Sequence, residues 1–239
     1  VLQASTLQPI LIVAMIFLLA GFGYKMAIVP FHLWAPDAYE GSPTPVSAFL
    51  AGITKKGAFV VVLKLFLATL IAIKLHVILL FAIIAALTMT IGNIVALVQN
   101  DMKRMLAYSS IAHAGNILVG LAIFTPLAAA GAIMHIVAHG LMAVGAFFGI
   151  EAVCKKKQDY SLQSFHGLGK SVPLLALGLS VILLSLAGVP PLLGFWSKMV
   201  IVISAFEVGG GMILLALILV LNSALSMVYY ARLIKVMYM

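Results

Sequence analysis

Residues 21–56 read GFGYKMAIVPFHLWAPDAYEGSPTPVSAFLAGITKK. Lys25 lies inside the first apolar run of this segment, and Lys55 lies inside the second. A proline-rich, weakly acidic link separates the two runs. Lysines are costly inside apolar helices, so each of these two positions is a candidate functional site.

Part of the segment is repeated later in the chain. Gly21–Val29 and Gly194–Val202 both read G-F-x-x-K-M-x-I-V. The lysines of the two copies are Lys25 and Lys198. We interpret the two copies as a repeated membrane element that moves protons.

The composition is that of a membrane protein with many spans. Of the 239 residues, 64% are hydrophobic and 8% are charged, whereas soluble domains contain about 25% charged residues. The mean hydropathy is +1.24. The single cysteine excludes a disulfide framework and a cysteine-based metal site. Membrane topology explains the net charge of +8, so we do not expect nucleic acid as a partner.

Seven apolar runs are long enough to span a bilayer, which takes about 20 residues. They cover residues 7–33, 45–71, 77–98, 104–124, 127–153, 172–205 and 211–232. We therefore predict an all-α integral membrane protein, built as a multi-span helical bundle.

Two of these runs are predicted to be broken helices. Gly188, Pro190 and Pro191 interrupt the sixth run, because proline lacks a backbone donor and glycine loosens a helix. Gly21 and Gly23 predict a second break, in the first run. Such breaks either shape packing alone or line an ion path, and the lysine beside each one favours the path.

Loop charges predict the orientation in the membrane. Because spans alternate, the loops fall on two sides. One side carries eight basic residues, namely Lys103, Arg104, Lys155, Lys156, Lys157, Lys170, Arg232 and Lys235. The other side carries only Lys74. The positive-inside rule makes the first side cytoplasmic, together with the loop 31–44.

Five lysines lie inside the predicted spans: Lys25, Lys55, Lys56, Lys64 and Lys198. Lys64 is near a helix end and can extend its amine to the interface. Lys55 and Lys56 are about 100° apart on a helix, so we expect only one of them to face an interior path. Burial disfavours the charged form of lysine, and a row of buried lysines can therefore pass protons. The alternative is a structural lysine that caps a kinked helix or pairs with a carboxylate.

Three histidines are predicted to bridge the lysines. His113 lies in the fourth span, and His135 and His139 lie four residues apart in the fifth, on one helical face. Imidazole can take a proton at one nitrogen and release one from the other. Packed structural histidines and a metal-binding pair are the alternatives. Nearby polar residues are expected to join helices: Thr88, Thr90, Asn93, Asn116 and Ser226.

The link after the first run carries aromatic and titratable residues. Trp34 and Tyr39 fit an aromatic belt at the membrane surface. His32, Asp37 and Glu40 either deliver protons or act as structural caps, and we favour the structural role.

Three segments carry a family resemblance. They are VPFHLWAPDAYEGSPTPVSAFLA at 29–51, NDMKRMLAYSSIAH at 100–113 and LSLAGVPPLLGF at 184–195. The segments resemble the antiporter-like membrane subunits of respiratory complex I. Within that family they are most similar to subunit N, or to the equivalent subunit of an archaeal F(420)H(2) dehydrogenase.

The resemblance implies a fold of fourteen helices with two inverted repeats. Residues 1–71 would be the end of the first repeat, and residues 72–239 would be the second. Lys25, Lys55 and Lys198 would be the proton-transfer lysines of the seventh, eighth and twelfth helices. The glutamate that the family pairs with the first lysine belongs upstream, and the chain begins with valine, so we expect it to be a piece of a longer protein.

The resemblance also implies the protein complex and the membrane to which the chain belongs. The chain would be a proton-translocating subunit of a quinone-reducing complex, in a prokaryotic cell membrane or an organelle energy-transducing membrane. It would hold no redox site, with quinone, flavin and iron–sulfur clusters in partner subunits and NADH or F(420)H(2) as electron donor. The alternatives are a subunit of a multisubunit cation/proton antiporter and a non-conducting membrane scaffold. A membrane enzyme is not supported, because no paired carboxylate or nucleophile is present.

Overall fold

The computed structural model describes residues 2–69, 74–155 and 158–239. Every regular element in those ranges is a helix, apart from one isolated bridge between Asp101 and Ser161. The α-helices are α1 (Leu2–Met26), α2 (Trp34–Gly41), α3 (Thr44–Phe49), α4 (Lys55–Thr69), α5 (Lys74–Leu97), α6 (Met102–Ile123), α7 (Pro126–Cys154), α8 (Leu168–Ser171), α9 (Pro173–Ala187), α10 (Leu193–Val208) and α11 (Gly211–Tyr238), and a short 3-10 helix covers Leu162–Phe165.

The predicted membrane bundle is confirmed. Among the described residues, five helices are long and apolar enough to cross a membrane: Thr44–Leu65, Ile78–Leu97, Met102–Ile123, Pro126–Cys154 and Gly211–Tyr238. The other two predicted runs correspond to α1 and to the pair α9 and α10. The end of the predicted run 45–71 and the boundary between residues 71 and 72 lie outside the described residues.

The predicted break at Gly21 and Gly23 is wrong. Helix α1 continues through both glycines and ends at Met26, and the chain turns at Ala27, whose φ is 54°. A glycine lowers helix stability by about 1 kcal/mol, which neighbouring turns can offset. A side chain at Gly23 would approach the ring of Phe31 to 2.9 Å. The glycine therefore makes room for the returning chain after the helix.

The break in the sixth run lies where the sequence predicts it. Helix α9 ends at Ala187, Gly188 adopts a φ of 92°, and α10 begins at Leu193. The left-handed conformation at Gly188 ends the helix, since residues with a Cβ adopt it at a cost.

A π-helical turn, Leu50–Thr54, joins α3 to α4 within one span. Gly52 in this turn lies against Gly140 of α7. A Cβ added at Gly140 would be 2.9 Å from the carbonyl oxygen of Gly52. The two helices therefore meet backbone to backbone at this point.

The segments on the predicted cytoplasmic side meet at one end of the bundle. Arg104 forms ion pairs with Asp37 and Glu40, which gives both carboxylates a structural partner. The amide of Leu162 donates to the carbonyl of Asn100 at 2.9 Å. These contacts agree with the alternation of spans from which the orientation was predicted. Lys156 and Lys157, which contribute to that prediction, lie outside the described residues.

Candidate functional site

Lys55 is buried where α4 begins, with 1% of its surface exposed. Its Nζ donates a hydrogen bond to Ser110 Oγ of α6 at 2.9 Å. The same Nζ lies 5.0 Å from the centroid of the Tyr39 ring. Helix α4 therefore presents this lysine to α6, the most deeply buried helix of the bundle.

Lys56 is also buried, which corrects the expectation that only one lysine of the pair faces the interior. Its Nζ lies 2.7 Å from Nδ1 of His139 on α7. The expectation assumed a single interior face, but two helices enclose the start of α4. Lys55 therefore meets α6 while Lys56 meets α7.

The three predicted histidines lie together in the interior. The ring centroids of His113 and His139 are 4.6 Å apart. Nδ1 of His113 and Nε2 of His135 are 3.1 Å apart, within hydrogen-bonding distance. His135 Nδ1 is in turn 2.8 Å from Ser197 Oγ on α10. Ring nitrogens of these three histidines thus contact one another, Ser197 and Lys56.

Lys198 lies in α10, and its side chain reaches into the break between α9 and α10. Its Nζ donates to the carbonyl oxygens of Leu186 at 3.1 Å and Ala187 at 3.0 Å. These carbonyls belong to the last turn of α9, the negative end of its helix dipole, which favours a cation. A Cβ at Gly188 would be 3.2 Å from both Cδ and Nζ of Lys198. Lys198 thus has the geometry of a cap for the broken helix, and it adjoins Ser197 at the end of the histidine group.

These contacts form a row of buried groups, which we call the lysine–histidine row. Its members are Ser110, Lys55, Lys56, His139, His113, His135, Ser197 and Lys198. Six of them are cationic or can become so. None of the hydrogen bonds described for these eight residues involves a carboxylate.

Lys25 is placed apart from this row. It lies in the last turn of α1 and is exposed on the surface of the described chain. The structure thus brings together five of the six predicted proton-transfer residues, and Lys25 is the sixth.

Sequence reasoning missed several members of the site. Ser197 directly precedes Lys198. The feature of the sequence that could have indicated it is a hydroxyl side chain next to a predicted proton-transfer lysine. Tyr230 lies on α11, where its hydroxyl is hydrogen-bonded to Ser109 and lies 3.4 Å from His113 Nε2. Nothing in the sequence pattern of α11 relates this tyrosine to a histidine on α6.

The polar residues expected to join helices do so in part. Asn93 Nδ2 of α5 donates to Asn222 Oδ1 of α11 at 3.0 Å, and Tyr229 donates to Asn93 Oδ1 at 2.9 Å. Thr88 accepts from the amide of Val29, in the break after α1, at 3.2 Å.

Acidic groups gather instead at the end of the bundle that is predicted to be cytoplasmic. A cleft of about 620 Å³ there is lined by residues that include Glu40, Asp101, Glu151 and Tyr160. Burial raises the pKa of Asp101 and also that of Tyr160. The interior row and this polar surface are therefore chemically distinct.

The sequence matches known proteins over nearly its whole length. The family described as NADH:quinone oxidoreductase/Mrp antiporter, TM, matches residues 2–226. F(420)H(2) dehydrogenase subunit N of Methanosarcina mazei is 49% identical over 97% of this chain and 48% of its own length. NADH-quinone oxidoreductase subunit N of Trichlorobacter lovleyi is 45% identical over 97% of this chain and 47% of its own length. The chain thus spans about half the length of the curated relatives that it matches.

Two solved structures share the fold. A chain of respiratory complex I from Thermus thermophilus is 37% identical, with a TM-score of 0.75 over 92% of this chain and 48% of that one. A chain of the Mrp complex from Dietzia sp. DQ12-45-1b is 26% identical, with a TM-score of 0.86 over 91% of this chain and 40% of that one. By sequence and by structure, the chain belongs to the family of NADH:quinone oxidoreductase/Mrp antiporter transmembrane proteins.

Proposed function

We propose that the chain conducts protons along the lysine–histidine row. The observation that carries this proposal is the continuous series of close contacts from Lys56 through His139, His113 and His135 to Ser197. Each imidazole can accept a proton on one nitrogen and release one from the other. Because the groups are buried and mutually repulsive when charged, a proton on one member disfavours a proton on the next. Protons would then advance one step at a time.

The whole protein would be a subunit of a quinone-reducing, complex I-type oxidoreductase. The names of the relatives from Methanosarcina mazei and Trichlorobacter lovleyi support this setting, with F(420)H(2) or NADH as electron donor. Quinone, flavin and iron–sulfur clusters would be held by partner subunits in the same membrane. Bacterial and archaeal relatives support a prokaryotic cell membrane.

Within a fourteen-helix protein, residues 1–71 would end the first inverted repeat and residues 72–239 would form the second. Lys25 would be the lysine of the first repeat, paired with a glutamate from upstream helices. Its exposed position, apart from the row, is consistent with a partner outside this chain. Lys55 would connect the two repeats.

A cation/proton antiporter subunit is the second candidate. The TM-score of 0.86 to a chain of the Mrp complex favours it, whereas the 37% identity to the complex I chain favours the first. An imposed sodium gradient separates the two candidates in vesicles that are assayed first without an electron donor and then with one. Acidification that follows sodium would support the antiporter, and acidification only during quinone reduction would support the oxidoreductase.

Replacing Lys198 or Lys25 with Met tests the proposal in the full-length protein within its membrane complex. Loss of a group that carries the transferred proton should lower proton pumping into vesicles at least about tenfold. Lys64→Met is the matched control, since Lys64 is an exposed lysine on a spanning helix. Unchanged pumping in a normally assembled Lys198→Met complex would instead support a non-conducting scaffold.

A further inference from the structure

Two buried polar atoms close to Lys55 have no hydrogen-bond partner among the described residues. They are the Tyr39 hydroxyl oxygen and His32 Nδ1. Tyr39 is completely buried and His32 is 8% exposed. A buried donor or acceptor without a partner costs folding free energy, and a phenylalanine at position 39 would avoid that cost.

Tyr39 is not part of an aromatic belt at the membrane surface, as its sequence position had indicated. Its ring packs edge to face on Phe147 of α7, with centroids 5.9 Å apart, and on Trp34. Ser47 Oγ donates to the Tyr39 carbonyl at 2.7 Å, which fixes the backbone of α2. The ring is therefore held in one place, between the cytoplasmic end and the row.

The hydroxyl of Tyr39 interacts with Ser110, although the geometry falls outside that of a hydrogen bond. Ser110 is also the residue that accepts from Lys55 Nζ at 2.9 Å. Tyr39, Ser110 and Lys55 thus lie in order, from the segment that follows the break in the first run toward the start of the row. His32 lies within electrostatic range of Lys55.

We propose that Tyr39 is a proton-transfer residue that supplies Lys55 through Ser110. Neutral Lys55 takes a proton from the Ser110 hydroxyl, and Ser110 takes the hydroxyl proton of Tyr39. Tyr39 takes its replacement from a hydronium ion that enters beside His32, which leaves a neutral water molecule. Both hydroxyls end the transfer neutral, Lys55 ends it protonated, and no oxidant or reductant is needed. This inference rests on the proposed proton conduction along the row.

The test is Tyr39→Phe in the full-length protein within its membrane complex. The substitution keeps the ring, its packing and its contact with the Lys55 amine, and it removes only the hydroxyl. We expect proton pumping to fall at least about tenfold, while the thermal unfolding midpoint stays equal or rises. A stability gain combined with a pumping loss is not expected of a merely structural hydroxyl.

Tyr108→Phe is the matched control, because Tyr108 is buried on the same helix as Ser110 and forms no hydrogen bond to the row among the described residues. Ser110→Ala is the second variant, and it should lose pumping as Tyr39→Phe does. Wild-type pumping in Tyr39→Phe, alongside lost pumping in Lys55→Met, would overturn the role of Tyr39 and leave conduction standing. Wild-type pumping in Lys55→Met would overturn the proposed conduction through Lys55 itself.

Discussion

The two copies of G-F-x-x-K-M-x-I-V are placed on opposite sides of their helix breaks. The first copy ends α1, and its break begins at Ala27, after Lys25. The second copy begins α10, and its break ends at Leu192, before Lys198. The same residues therefore lie at a helix end in one copy and at a helix start in the other.

The two breaks differ in the groups that donate hydrogen bonds to the carbonyls at the helix end. At the end of α1, the carbonyl of Tyr24 accepts from the amide of Ala27 at 3.0 Å and from the Trp34 indole at 2.8 Å. At the end of α9, the last two carbonyls accept from the amine of Lys198 instead. A helix end needs donors from somewhere. Among the contacts of the described residues, only the lysine of the second copy donates to a helix end, so the charge of Lys198 lies at the break.

The first glycine of the motif should give the largest contrast between the copies. A Cβ at Gly194 would overlap the carbonyl oxygen of Ser185, whereas a Cβ at Gly21 meets nothing within 4 Å. We expect Gly194→Ala to destabilise the full-length protein by about 1–3 kcal/mol or more. Gly21→Ala should be neutral or stabilising by up to about 1 kcal/mol. Thermal unfolding in detergent measures both, and equal effects would contradict the asymmetry.

The turn at Gly188 should give the next largest effect. Gly188→Ala places a Cβ on a residue with a φ of 92° and crowds the Lys198 amine. We expect a destabilisation of about 1–2 kcal/mol and reduced proton pumping. Gly178→Ala is the control on α9, because a Cβ there meets open space. Normal pumping in Gly188→Ala would mean that the break does not set the position of the lysine.

The residue before each lysine should give the smallest effect. Ser197→Ala removes the contact with His135 and should cost about 0.5–1.5 kcal/mol, with a pumping loss smaller than that of Lys198→Met. Its counterpart is Tyr24, which is exposed and stacks on Trp34. Tyr24→Phe should change stability by less than about 0.5 kcal/mol and leave pumping intact. A pumping loss in Tyr24→Phe that matched the loss in Ser197→Ala would show that the two copies are used alike.

Much of the fold could be predicted from the sequence because the membrane restricts the choices. Long apolar runs must be helices in a bilayer, and the glycine and prolines at 188–191 must interrupt one. The shared face of His135 and His139 follows from helical periodicity alone. Their meeting with His113 depends on how α6 packs against α7, which periodicity does not reveal.

The errors have physical causes of the same kind. Gly23 makes room for Phe31, which returns toward the helix after the turn at Ala27, and it does not break α1. Tyr39 has the amphipathic character of a residue at a membrane surface, but α2 folds inward and buries it against Phe147. Lys56 faces inward because α7 supplies a second partner beside the one on α6. For Tyr39 and Lys56 the neighbour is distant in sequence.

The backbone contact between Gly52 and Gly140 has a consequence for the row. Lys56 follows Gly52 by one helical turn, and His139 precedes Gly140 by one residue. Two helices that touch at their main chains are as close as helices can be, so the glycines act as a fixed spacer for the 2.7 Å contact between Lys56 and His139. A methyl group at either position would push α7 away from the start of α4 and lengthen the contact between Lys56 and His139. The length of the proposed proton step from Lys56 to His139 is thus set by two residues that carry no side chain.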